Sequence, residues 1–192
     1  VSKPLIHSSE LVYKGFFHLR IDKLLLPEKK PLEYTVLMAA KEASAVLAIT
    51  PQGKLIINRE YRHPVATYLL GLPGGRVDPG EDPSWAAQRE LEEETSYIAK
   101  EFILLGTAYP LPAICDQKIH YYLAKDATPT GQLKTEPYEL IETIELTQEE
   151  LFQKIQDGEA VDGVLFPALA LYNRFFTLQE ESKIDQRSSE KR

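Results

Sequence analysis

The sequence predicts an α+β fold in which a mixed sheet is sandwiched by helices, and three observations lead to that class. Strand-like apolar runs dominate up to Gly75, one well-capped helical pattern interrupts them, and more strands followed by two helical patterns close the chain. The 192 residues are 43% hydrophobic, enough to bury a substantial core, and no repeat or linker divides them.

Taken in order, residues 11–40 (LVYKGFFHLRIDKLLLPEKKPLEYTVLMAA) read as two or three strands around a turn at Pro27–Pro31. SAVLAIT (44–50) and KLIINREYR (54–62) flank Pro51-Gln52-Gly53, a hairpin signal. YLLGLPGG (68–75) is a short apolar run that ends in glycines. Asp82 as cap and Pro83 at the first helical position open a helix to about Thr95. FILLGTAYP (102–110), KIHYYLAKD (118–126) and LIETIELT (140–147) are further strands. Thr147 and Glu150 form a capping box ahead of TQEELFQKIQDGE. A last helix begins near Gly163, with Pro167 in its first turns, and runs through Gln179. The organisation expected is an N-terminal strand region over 1–43, the main domain over 44–179 and a polar, disordered tail over 180–192.

Composition narrows the function. A net charge of −7 argues against a nucleic-acid backbone as partner, although an acidic protein still binds phosphates when a cation mediates. Cys115 is the only cysteine, so no internal disulfide forms and a reducing cytoplasm is expected. No apolar run approaches the ~20 residues that span a bilayer, and the opening VSKPLIHSSE lacks a signal-peptide pattern. Neither nucleic acid nor membrane is expected as a partner.

The chemistry concentrates in GRVDPGEDPSWAAQRELEEET, residues 75–95. On its helix Glu90 and Glu94 share a face, Arg89 and Glu93 form an i,i+4 pair, and Ala87 and Leu91 make an apolar stripe beside them. Carboxylates crowded at the C-terminal end of a helix oppose its dipole, and at the edge of a buried surface their repulsion is poorly screened. A hard divalent cation resolves this, since Mg²⁺ takes a few carboxylates together with phosphate oxygens. Gly74-Gly75 lets the backbone approach a ligand and offers a carbonyl as a further donor. A run such as ELEEE is ordinarily a solvated helix face. The arginine within it, the apolar stripe and the glycine turn ahead of it favour the ligand reading.

These residues resemble the Nudix box, a glycine, five residues, Glu, seven residues, then Arg-Glu-apolar-any-Glu-Glu-any-Gly-apolar. Gly75, Glu81, Arg89, Glu90, Leu91, Glu93, Glu94 and Tyr97 fall on it at the right spacing, and Ser96 stands where the family has glycine. Beyond the box, LAITPQGKLIINREYRHP (47–64), AYPLPAICDQKIHYYLAKD (108–126) and EPYELIETIEL (136–146) are similar to the ADP-ribose pyrophosphatase branch, so the resemblance spans roughly residues 10–175. It implies an α/β/α sandwich with an N-terminal antiparallel strand region that helps to build a homodimer.

The resemblance also implies roles. Glu90, Glu93 and Glu94 would bind Mg²⁺ or Mn²⁺, with the Gly74 carbonyl completing the set. Glu81 would join the metal network or cap the loop, and both readings stay open. Arg89 would orient the glutamates through ion pairs, Arg62 would contact the diphosphate, and Pro112 matches a proline of the downstream substrate loop. The general base would come from Lys134–Glu139, with Glu139 first and Glu136 second. The reaction implied is metal-dependent hydrolysis of the pyrophosphate bond of a nucleoside diphosphate sugar, with ADP-ribose leading.

Two departures bear on the substrate. Gly71 stands where the branch commonly has Glu, and Asp116-Gln117 where it tends to carry Glu, which changes the sugar hydroxyls or base edges that Gln117 and its neighbours can bind. Another nucleotide sugar or a dinucleoside polyphosphate is the alternative. The latter ranks lower, because Arg62 and Arg76 are the only nearby arginines outside the box. A non-catalytic binding module is the third reading, disfavoured because every box glutamate is present. Tyr13, Phe16, Phe17 and Tyr34 are read as core, and His63 and His120 as ordinary strand or loop histidines.

Overall fold

The computed structural model describes residues 3–26, 30–39, 41–131 and 140–189, with side chains through Thr177 in the last helix. Its elements are β1 (Leu5–Lys14), β2 (His18–Leu25), β3 (Pro31–Met38), β4 (Ala43–Ile49), β5 (Leu55–Arg62), β6 (Thr67–Gly71), β7 (Gly74–Arg76), α1 (Pro83–Thr95), β8 (Tyr97–Ile98), β9 (Glu101–Ala108), β10 (Ile119–Lys125), β11 (Thr128–Pro129), β12 (Ile141–Leu146), α2 (Gln148–Gln156) and α3 (Leu165–Ser189). Each strand and helix expected from the sequence is present in order. The N-terminal strands begin at Leu5, earlier than the pattern from residue 11 suggests.

Strands β1, β2 and β3 form an antiparallel sheet of their own. The central sheet runs β12-β5-β4-β10-β9, with β6 added to β5 and β7 to β4. Strand β4 pairs parallel with β10 and antiparallel with β5 and β7, so the sheet is mixed. Alternation along β4 sends its side chains to two cores, which is why a near-continuous apolar strand sits at the centre. Val46 and Ala48 pack with Ala87 and Leu91 of α1, Ile56 and Tyr122. Leu47 packs with Leu151 of α2, Leu165 and Leu169 of α3, and Leu70. The apolar stripe on α1 is thus the seam that fixes the helix to the sheet, with both residues fully buried.

Helix α1 starts as the sequence predicts. The Asp82 carboxylate accepts the Ser84 N–H, and Pro83 occupies the first turn. Helix α2 opens with the Thr147–Glu150 capping box. Helix α3 continues to Ser189, ten residues past the point where the sequence reading places a disordered tail. No Gly or Pro lies between Glu180 and Ser189 to stop it.

A second correction concerns the N-terminal aromatics. Tyr13, Phe16, Phe17 and Tyr34 are not core: Phe16 is 72% exposed and all of β1 is exposed. The three-stranded sheet contributes to none of the three hydrophobic clusters, whose residues all come from Ala43 onward.

Ser96 caps α1 in the left-handed region, at φ +61°, with its N–H on the Glu92 carbonyl. A side chain is disfavoured there. Ser96→Gly is therefore expected to stabilise the protein by about 0.5–1 kcal/mol, read as a higher urea midpoint at unchanged slope. A lower midpoint would show that the serine side chain contributes more than the strain costs.

Candidate active site

The loop from Gly74 to Asp82 and helix α1 meet around one guanidinium. Arg89 donates from Nε to Glu81 Oε1 at 3.1 Å, and from one terminal nitrogen to Glu90 Oε1 at 2.7 Å and Glu93 Oε2 at 3.1 Å. Its other terminal nitrogen donates to the Arg76 carbonyl at 3.0 Å and to Glu81 Oε2 at 3.3 Å. These contacts, those with Glu81 first, raise the arginine pKa, and Arg89 in turn holds the Glu81 carboxyl below its ordinary 4.5. Glu81 also accepts the Asp78 N–H, so it caps the loop. The arginine inside the acidic run is the counter-charge the crowded helix end requires.

Glu94 points the other way, into the protein, and is only 7% exposed. Its Oε2 accepts from Asn58 Nδ2 on β5 and from the Gly74 N–H on β7, both at 2.9 Å. Helix, central strand and glycine turn are thereby tied at one carboxylate. Gly74 is a steric requirement, because a Cβ there would run into the Ser44 carbonyl oxygen and the Ala45 backbone. At Gly75 a Cβ would meet only the Glu90 carboxylate, so a side chain there would displace that carboxylate from its place beside the loop.

Beyond Gly74 and Gly75 opens a cavity of about 480 Å³. Its wall includes Ser44, Arg62, Arg76, Gln117 and Asp162, and Pro110 and Leu111 from the loop before β10. Two arginines and two neutral hydrogen-bonding groups thus converge next to the carboxylate-bearing helix. Arg62 and Gln117 both line this cavity. Pro112 lies in the same loop but Pro110 and Leu111, not Pro112, form the wall. Glu136 and Glu139 fall outside the described residues.

The loop is held from the N-terminal sheet. Leu37 of β3 donates its N–H to the Ile114 carbonyl at 2.8 Å, the Tyr34 hydroxyl donates to the Ala113 carbonyl, and the Ala39 N–H donates to Asp116 Oδ1 at 2.7 Å. Arg76 is capped by the Phe16 ring, 4.0 Å from guanidinium carbon to centroid. Asp162, which sequence reasoning missed, enters the wall from the segment before α3. Its only sequence signal is its place ahead of the helix, since an Asp there reads as a cap. His120 is buried on β10 with its Nε2 on the Glu42 carboxylate, and His63 lies in the turn after β5. Neither lines the cavity.

Among the described residues no three Asp, Glu, His or Cys side chains converge as metal ligands. Glu81, Glu90 and Glu93 are turned onto Arg89, and Glu94 onto Asn58 and Gly74. The chemistry of the donor set nonetheless suits a hard divalent cation, being carboxylate and backbone oxygen throughout.

A sequence model of the family described as NUDIX domain matches residues 39–169, more than half of the chain. The chain is 29% identical over 158 residues to an ADP-ribose pyrophosphatase of Bacillus subtilis (strain 168), covering 81% of this chain and 85% of that protein. It is 30% identical over 177 residues to a methanol dehydrogenase activator of Bacillus methanolicus, covering 91% and 93%. A solved structure described as an ADP compounds hydrolase superposes with a TM-score of 0.82 at 25% identity, over 93% of this chain and 97% of that one.

Arg89→Met leaves Glu81, Glu90 and Glu93 without their shared cation and should cost about 2–3 kcal/mol at pH 7. The Glu81 carboxyl is depressed when folded, so its contribution is present above the ordinary carboxylate pKa and lost as pH falls through the folded value. Urea midpoints measured from pH 7 down to 3 should show the gap between the two proteins shrinking below pH 4.5. A gap independent of pH would contradict this electrostatic account.

Proposed function

Because the chain belongs to the NUDIX family, we propose that it hydrolyses the pyrophosphate bond of ADP-ribose or a closely related nucleoside diphosphate sugar. The products are a nucleoside monophosphate and a sugar phosphate. The observation that carries this reading is the carboxylate cluster on α1 abutting, through Gly74 and Gly75, a cavity that holds two arginines. The Bacillus subtilis relative named as an ADP-ribose pyrophosphatase supports it over most of both chains.

Glu90, Glu93 and Glu94, with the Gly74 carbonyl, hold Mg²⁺ or Mn²⁺, and Glu81 either joins them or remains the loop cap. When bound, the cation neutralises diphosphate charge and makes water a better nucleophile. Arg62 on the cavity wall contacts the diphosphate, and Gln117 hydrogen-bonds the sugar or base. Pro112 shapes the substrate loop from behind its wall residues. Glu139, or else Glu136, takes a proton as water attacks phosphorus. The bridging P–O bond breaks, and its electron pair leaves with the departing phosphate, which takes up a proton. Arg89 positions the glutamates and does not touch the substrate.

The chain is further proposed to work as a homodimer in the cytoplasm. Strand β1 and the turn after it expose Leu5, Ile6, Leu11, Val12 and Phe16, an apolar strip that a second copy would cover. Light scattering should give twice the mass of one chain, and Ile6→Glu with Val12→Glu should give a single one. A monomeric wild type would remove this part of the proposal.

Incubation with ADP-ribose and Mg²⁺ should yield AMP and ribose 5-phosphate. Glu93 is the most exposed of the Arg89 partners, with 42% of its side chain accessible, so Glu93→Gln should spare the fold. It is expected to lower kcat by about a hundredfold, as loss of one charge-stabilising group does. Turnover of only dinucleoside polyphosphates would move the assignment to that class. Cation binding without turnover of any nucleotide would indicate a binding module.

A further inference from the structure

Among the described residues, the cavity wall carries one acidic group, Asp162, with two arginines. Its position is built by the backbone. Leu70 of β6 donates its N–H to the Ala160 carbonyl at 2.9 Å and accepts the Asp162 N–H at 2.8 Å, so residues 160–162 lie along β6 as an added bridge. The neighbour on β6 is Gly71, where a Cβ would come 3.4 Å from the Asp162 Cβ.

The two carboxylate oxygens have different surroundings. Oδ1 accepts the Val164 N–H at 2.9 Å and so caps the entry to α3. Oδ2 faces the Arg62 guanidinium at 3.7 Å, beyond hydrogen-bond reach, and the side chain is 25% exposed. A carboxylate offers about four acceptor sites, which leaves capacity on the cavity side for a donor from a ligand. Tyr121 on β10 is fully buried, and burial first and the Asp162 charge second push its hydroxyl up to about 12.

Cations and one anion in a single cavity suit a ligand with a charged part and a neutral, hydroxyl-bearing part. They oppose a ligand that is anionic along its whole length, since a repulsive group discriminates as effectively as an attractive one. We propose that Asp162 is a specificity-determining residue: its carboxylate accepts a hydrogen bond from a sugar hydroxyl of the substrate and repels phosphates beyond the diphosphate. This rests on the nucleotide-sugar reading above and adds the residue that enforces it.

Asp162→Asn isolates the charge, because Asn preserves the acceptor for Val164 N–H and caps as well as Asp. Asp162→Ser, which also keeps a capping oxygen, serves as a second variant. Binding of ADP-ribose and of inorganic tripolyphosphate would be measured by calorimetry in metal-free buffer, where turnover does not intervene. The variants should bind ADP-ribose about fivefold more weakly, as expected when a charge-assisted hydrogen bond becomes a neutral one. They should bind tripolyphosphate about tenfold more tightly, as expected from removing a nearby like charge. Opposite movements support the proposal, since a general structural defect would weaken both ligands. Parallel movements, or unchanged tripolyphosphate binding, overturn it. A wild type that binds tripolyphosphate but not ADP-ribose would instead remove the nucleotide-sugar reading, and the proposal with it.

Discussion

The Arg89 guanidinium must satisfy Glu81, Glu90 and Glu93 together with the Arg76 carbonyl, and the remainder of the site is arranged so that it can. The three carboxylates, two on the helix and one on its preceding loop, would otherwise repel one another. With Arg89 in place the loop from Gly75 to Glu81 is drawn down against α1, and strand β7 is carried with it. The close approach then forbids a side chain at Gly74, and one at Gly75 would push the Glu90 carboxylate aside. Because Glu94 is tied to Asn58 and the Gly74 N–H, the same loop is also fixed to the central sheet. Planarity and several fixed donors make arginine, not lysine, the residue able to serve four acceptors at once.

The second constraint is that one wall of the cavity is not part of the central sandwich. The loop carrying Pro110, Leu111 and Gln117 is hydrogen-bonded to β3 of the small N-terminal sheet, and Arg76 lies against Phe16 at the turn between β1 and β2. The small sheet therefore has a mechanical relation to the site even though its own strands contribute nothing to either core.

Much of this was legible in the sequence because local rules and tertiary packing agree. Asp82-Pro83, the Thr147–Glu150 box and the Ala87–Leu91 stripe each specify an element, and each is found. The i,i+4 spacing of Arg89 and Glu93 likewise announced their ion pair. What failed were statements that depend on long-range packing. Aromatic strands ordinarily mean core, yet Phe16 and Phe17 are exposed, stacked edge-on against each other and over Arg76. Asp162 reads as a helix cap, and only its bridge to Leu70 brings it to the cavity. A polar tail without Gly or Pro continued as helix where low hydrophobicity suggested none.

The central claim is that the carboxylates gathered by Arg89 form a divalent-cation site beside the cavity, independent of any substrate. Thermal melting of the metal-free protein against increasing Mn²⁺, in parallel with Glu93→Gln, tests this directly, because a ligand that binds only the folded state raises its stability by mass action. The account predicts a saturable rise in Tm for the wild type that is largely lost in the variant. Equal melting curves at every Mn²⁺ concentration in both proteins would contradict it, and the acidic run would then be an Arg89-neutralised structural cluster.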